Sequence, residues 1–267
     1  MEIHGRRKRG QHAGIAAIRG PVTHDLINFP MKKRLVVPLT TVLAVFCLNT
    51  LSGQARFGFK AGLNMAGLSL SEDYFNVIEF VEGADFENKL LPLFHAGVAV
   101  EFGLGSNFGV GTGVQFSIKG GKQEFKGVVL NVPYTRTKNI KLMYLQLPLM
   151  LHYRNSGFYA GIGPYFGYAI GGSMKIKTKS GDASSERTEH FDFGNDQNDD
   201  FSAIDYGGAF ELGYEFFGRL RLSASYNLGL ANVLPADAVD TADNLGGNWS
   251  ANNNIIGVSL TYLFGTE

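Results

Sequence analysis

Residues Asn139 to Ile170 read NIKLMYLQLPLMLHYRNSGFYAGIGPYFGYAI. In the first half the odd positions are Met143, Leu145, Leu147, Leu149, Leu151 and Tyr153; the even ones are Tyr144, Gln146, Pro148, Met150 and His152. Arg154-Asn155-Ser156-Gly157 then reads as a tight turn. Beyond it the even positions are Phe158, Ala160, Ile162, Phe166, Tyr168 and Ile170, and the odd ones are mostly glycine. Period-two alternation marks strands with two different faces. Here one face is continuously apolar and the other is small or polar. Each run outlasts a usual strand and matches the roughly 9–11 residues that a tilted strand needs to cross a bilayer. The stretch is read as one hairpin of a transmembrane β-barrel.

The same alternation recurs along the chain. Strand regions are expected at Arg56–Leu68, Leu93–Gly103, Phe108–Lys119, Ile204–Phe217, Arg219–Leu230 and Ile255–Phe264. Phe57, Phe59, Leu63 and Met65 oppose Gly58, Lys60, Gly62 and Asn64. Leu220, Leu222, Tyr226 and Leu228 oppose Arg221, Ser223, Ser225 and Asn227. With the opening hairpin this gives an all-β, eight-stranded antiparallel up-and-down transmembrane β-barrel over residues 56–267. An even strand count is what bacterial barrels show. Short connections at Leu104–Asn107, Arg154–Gly157 and Phe217–Arg219 alternate with long ones at Ser69–Pro92, Gly120–Asn139, Met174–Ser202 and Ala231–Asn254. Short turns on the periplasmic rim and long loops outside is the outer-membrane pattern.

A soluble barrel would bury the apolar row and wet the charged one; a membrane barrel does the reverse. The long apolar rows favour the membrane. So do their terminal aromatics (Phe57, Tyr153, Phe158, Tyr168, Phe264) and the glycine-rich opposite face, which suits a crowded lumen. The 35 glycines come with only 8 prolines, so they do not mark a disordered chain. Net charge is zero, so nothing points to nucleic acid.

The N-terminal part is read as a leader. Residues 1–30 hold Arg6-Arg7-Lys8-Arg9 and no apolar period, and are taken as a mis-called upstream extension. Met31-Lys32-Lys33-Arg34, the apolar run Leu35–Leu51 and the small residues Gly53 and Ala55 make residues 31–55 a secretory signal peptide. Cys47, the only cysteine, lies inside it, so the mature chain has no thiol for a disulfide, nucleophile or metal.

The row opposite the apolar one carries Arg56, Lys60, Glu101, Asp205, Glu211, Glu215, Arg219 and Arg221, with His95 and His152. An eight-stranded barrel is just wide enough for side chains to fill, so these charges are expected to pair and plug a polar lumen. His95, His152 and Ser117 are the pieces from which a nucleophile and base would be built. No motif links them, and no catalytic, cofactor or metal residue is assigned. Asp192, Asn195, Asp196, Asn198, Asp199 and Asp200 could offer oxygen ligands to Ca²⁺, but the spacing lacks the glycine and glutamate of an EF-hand; a solvated acidic loop is expected. Trp249 is read as an interface or partner contact.

Phe57-Gly58-Phe59-Lys60-Ala61-Gly62-Leu63-Asn64, Tyr144-Leu145-Gln146-Leu147-Pro148-Leu149 and Gly161-Ile162-Gly163-Pro164-Tyr165 together resemble the PorT-like outer-membrane β-barrel family of the Bacteroidota. The resemblance spans the mature chain and implies a fold and a location in the cell outer membrane. One member is associated with export of secreted proteinases, a role that no residue here carries across. The expected protein is a monomeric, non-enzymatic outer-membrane barrel with a structural or surface-interaction role through long extracellular loops. Its partners are outer-membrane lipid, lipopolysaccharide and an unidentified surface or periplasmic protein. A small selective channel or a secretion-system accessory barrel is the alternative, and a membrane-embedded lipid-modifying enzyme the third class.

Overall fold

A computed structural model describes residues 55–82, 85–129, 131–194, 199–244 and 247–264. The leader reading, residues 1–54, lies outside them. Among the described residues ten strands form one antiparallel sheet. They are β1 (Ala55–Leu70), β2 (Asp85–Lys89), β3 (Leu91–Gly103), β4 (Phe108–Val129), β5 (Val132–Asn155), β6 (Phe158–Ser180), β7 (Ala183–His190), β8 (Ile204–Phe216), β9 (Leu220–Gly229) and β10 (Ala251–Phe264). Two helices, α1 (Glu72–Glu82) and α2 (Ala236–Asn244), lie in the connections.

Pairing runs β4-β3-β1-β10-β9-β8-β6-β5 and returns from β5 to β4, so the sheet closes on itself. The first and last described strands meet in register from Phe57↔Phe264 to Leu70↔Ala251. A closed circuit leaves no unpaired edge, which a bilayer requires of a spanning sheet. β2 and β7 stand outside the circuit, pairing β4 and β6. The sheet thus has ten strands where eight were expected. The additions lie in segments that have no apolar alternation and read as loops.

Polarity is inverted relative to a soluble protein. Leu147 is 48% exposed and Leu63 70%, whereas Arg56 is 2% exposed. The apolar row faces outward on every strand of the circuit; its exposed part on β5 runs from Leu145 to Leu151, and on β10 from Ile256 to Phe264. Such a band suits acyl chains.

The short turns behave as their residues require. Asn155 pairs Phe158 across Ser156-Gly157, whose φ values are 50° and 85°. Two successive positive φ values make the hairpin turn whose twist matches its strands, and glycine adopts the second at no steric cost. At the other end β4, β5 and β6 run far beyond the apolar band. A register shift at Met143/Tyr144 leaves Ile170 without a partner. A one-residue shift switches the face that each later residue presents. Beyond it the odd residues of β6, from Ser173 onward, share the outer face with Lys141 of β5. β2, the ends of β4–β6, and β7 make a polar ridge rising from one side of the barrel.

Candidate functional site

The lumen is where the buried chemistry gathers. At the short-turn end β1, β3, β8 and β9 bring four charges together, all with side chains at most 7% exposed. Arg56 donates to Glu101 at 2.8 Å and to both oxygens of Glu215 at 2.6 and 3.0 Å. Arg221 donates to both oxygens of Glu101 at 2.5 and 3.1 Å, and to Glu215 at 2.6 Å. Two guanidinium forks thus clamp two carboxylates in a neutral ring. The Arg221 guanidinium also lies 3.7 Å over the Tyr159 ring. One level higher Lys60 donates to Glu211 at 2.8 Å, and Ser223 Oγ donates to the same carboxylate at 2.6 Å.

At the opposite end Lys119 donates to Asp205 at 2.7 Å, with both side chains 0% exposed. Its ammonium sits 4.0 Å from the Tyr165 ring centre and 5.5 Å from that of Tyr144. Beside this pair lies an apolar cluster: Leu68, Ile140, Leu142, Val233, Leu234 and Ala251, with Tyr74, Val239 and Trp249 packed on them. Trp249, half-buried, leans on Tyr74 at 5.7 Å between ring centres. α1 supports the cluster. Its first-turn Glu72 and Asp73 favour the positive end of the helix, and Asp73 accepts from the Asn248 amide at 2.8 Å. A cavity of about 60 Å³ is bordered by Lys60, Asn64, His95, Gln146, Glu211 and Thr261.

The three sequence candidates for a reactive centre do not form one. His95 and Ser117 are register partners on β3 and β4, yet the imidazole turns elsewhere. Its Nδ1 lies 2.7 Å from Asn64 Oδ1 and its Nε2 2.9 Å from Ser259 Oγ. Asn64 Nδ2 donates to Ile118 O at 3.2 Å and Ser117 Oγ at 3.3 Å, which leaves Oδ1 to accept. His95 therefore carries its proton on Nδ1 and accepts from Ser259. A Cβ at residue 62 would fall 2.6 Å from His95 Cε1, so Gly62 provides the ring's space. His152 stands apart near the short turns, 5.5 Å from Tyr159 between ring centres.

Ser259–His95–Asn64 has the order of nucleophile, base and orienting group. Ser259 is 1% exposed, however, and the adjoining space admits about four or five waters, not an acyl substrate. Ser259 and Asn64 were not singled out by sequence. Their meeting depends on β1 lying between β3 and β10, which alternation does not encode.

One other reading changes. Arg219 lies exposed in the turn between β8 and β9, not in the lumen. In the acidic stretch the Asp192 amide donates to Asp200 Oδ2 at 3.0 Å and the Asp200 amide to Asp192 O at 2.9 Å. Asn195, Asp196 and Asn198 lie outside the described residues. Among the described residues no three His, Cys, Asp or Glu side chains gather as metal ligands.

Residues 49–234 match the family model described as outer membrane protein beta-barrel domain. The chain belongs to that family. It is a barrel of the outer membrane, as the outward apolar band requires. β10, which closes the circuit, lies beyond the matched residues. Three solved structures are similar to the chain. Neisserial surface protein A matches at 10% identity and a TM-score of 0.36, covering 78% of this chain and 97% of its own. Ail, the attachment invasion locus protein of Yersinia pestis, was solved with the heparin analogue sucrose octasulfate. It matches at 11% and 0.32, covering 78% and 99%. The outer membrane protein OprG from Pseudomonas aeruginosa matches at 13% and 0.32, covering 80% and 98%. No curated protein matches the chain.

Proposed function

We propose that the circuit's eight strands form a non-conducting, non-enzymatic membrane barrel, monomeric, whose task lies in what it displays on the long-connection side. The observation that carries this is a pair of buried clusters: the Arg56–Glu101–Arg221–Glu215 ring at one end, and Lys119–Asp205 beside an apolar cluster at the other. Two clusters with a cavity of about 60 Å³ between them support a lumen that does not conduct. The ridge and its helices face the cell exterior, because short turns belong to the periplasmic rim. Lipopolysaccharide and a surface or periplasmic protein are the partners this arrangement suits. The narrower PorT-like kinship belongs to the same proposal and rests on the Phe57–Asn64, Tyr144–Leu149 and Gly161–Tyr165 motifs.

The test is conductance across a planar bilayer. The intact protein is expected to give no steady current, and a stable current would overturn the closed-lumen reading. The enzymatic reading is tested beside it with a fluorophosphonate probe: labelling that disappears in Ser259→Ala would restore it.

A further inference from the structure

The outer face of the ridge carries a charge pattern that neither a plugged lumen nor a closed sheet explains. Following β4, β5 and β6 outward from the apolar band, the first charged residue on the outer face is a lysine each time. On β5 it is Lys141, two residues past Met143. On β4 it is Lys122, after Phe116, Ile118 and Gly120. On β6 it is Lys175, after Ile170, the register shift and Ser173. Asn139 pairs Lys122 on one side and Lys175 on the other, and Lys122 pairs Lys89 of β2. That level holds three lysines and no acid. The next level up reverses sign, with Glu87, Glu124 and Glu186 around Thr137 and Lys177. The charges are layered, and the positive layer lies against the lipid band.

Position identifies the partner. Two residues advance a strand by about 6.6 Å, so Lys141 stands at the level where acyl chains end and headgroups begin. Lysine stems can lie along the apolar surface while the ammonium reaches the headgroups. Lys122 and Lys175 are two strand spacings apart, about 9.6 Å, with Lys141 between them and one level lower, so three ammonium groups can converge on one anionic head. Lys122 lies 3.4 Å from Glu124 and Lys175 2.5 Å from Glu186; such exposed pairs are weak and exchangeable. Among the described residues no acidic side chain pairs Lys141. We propose that Lys122, Lys141 and Lys175 bind the phosphate groups of lipopolysaccharide in the outer leaflet, fixing the ridge against the membrane surface. The proposal deepens the surface-display reading and rests on its outward orientation.

The test titrates the full chain, folded in detergent micelles, with diphosphorylated lipid A and counts bound lipid by native mass spectrometry. Each lysine near an anionic surface contributes about fivefold to binding. The Lys122→Gln/Lys141→Gln/Lys175→Gln variant is therefore expected to bind about a hundredfold more weakly. Lys126→Gln/Lys179→Gln, two levels higher, should change binding less than threefold. Heat-shift electrophoresis verifies that each barrel is folded, and Lys141→Gln alone, expected to lose about fivefold, serves if the triple variant is not. Three results would each overturn the proposal: variant binding equal to wild type, equal binding of dephosphorylated lipid, or full displacement by inorganic phosphate at equal phosphate concentration. Orientation is read separately. Thr137→Cys in a Cys47→Ser background should react with an impermeant maleimide on intact cells. Labelling only after lysis would sink the display reading whatever the lipid titration shows.

Discussion

Glu101→Gln is the sharpest probe of the lumen. Glu101 accepts three hydrogen bonds, from Arg221 at 2.5 and 3.1 Å and from Arg56 at 2.8 Å. The substitution keeps the shape but leaves two guanidiniums facing the single carboxylate of Glu215. Were the ring wet, the loss would be about 1 kcal/mol or less, as for surface pairs. With side chains 3% and 6% exposed, the buried case applies, and removing one partner costs about 3–5 kcal/mol. The expected outcome is a fall of roughly two to three and a half powers of ten in the folding equilibrium, since about 1.4 kcal/mol is tenfold. Reversible urea titration of folding into vesicles measures it, with the single tryptophan, Trp249, as reporter at the far mouth. Adding Arg56→Gln restores neutrality and leaves Arg221 bonded to Glu215 at 2.6 Å; this double variant should recover to within about 2 kcal/mol of wild type, because balanced removal of a buried pair is often near neutral. A Glu101→Gln loss under about 1 kcal/mol, or a double variant as weak as the sum of its singles, would refute the claim that charge balance in a dry ring holds this end closed.

Leu147→Arg places a charge near the middle of the apolar row on β5 and should destabilise the vesicle-folded protein by about 2–4 kcal/mol; a neutral result would mean that row does not meet acyl chains. The ridge should loosen in acid. Hydrogen bonds from Lys175 and Lys177 hold the Glu186 carboxyl below its ordinary value, and those from Lys89 and Lys126 do the same for Glu87. A depressed carboxyl stabilises fully above its unfolded pKa, about 4.3, and that contribution fades as pH falls through the lower folded value. Amide exchange in β2 and β7 should therefore accelerate below about pH 4 relative to β1 and β10, and equal protection at both pH values would show that these pairs do not hold the edge strands.

The inward and outward rows of the barrel were legible because a bilayer demands them. Leu145, Leu222 and Leu260 alternate with Gln146, Arg221 and Thr261 in any strand that must show lipid one face and its lumen the other. The ridge makes no such demand. Ala183–His190 is exposed almost throughout, so nothing in its pattern separates a strand from a loop. The β6 alternation stops at Ile170, where the register shift moves each later side chain to the opposite face. A reading that follows period two ends there, though the strand continues to Ser180.

The lumenal pairings lie further from sequence reach, for a geometric reason. Lys119 and Asp205 are 86 positions apart and sit on strands that are not neighbours. They meet because the sheet curves shut, not because they share a ladder. Alternation fixes which side chains enter the lumen. Only closure, with its stagger and tilt, fixes the depth at which each one stands. His95 needs that closure too: register sets it beside Ser117 on one side and Gly62 on the other, and only the pairing of the first strand with the last puts Ser259 beyond Gly62, whose missing side chain lets the ring reach across. The ridge lysines need no such information, since their level follows from counting residues past the last apolar one on each strand. Sequence plus register therefore suffices to find a membrane-surface site, whereas a lumenal site needs the closed barrel.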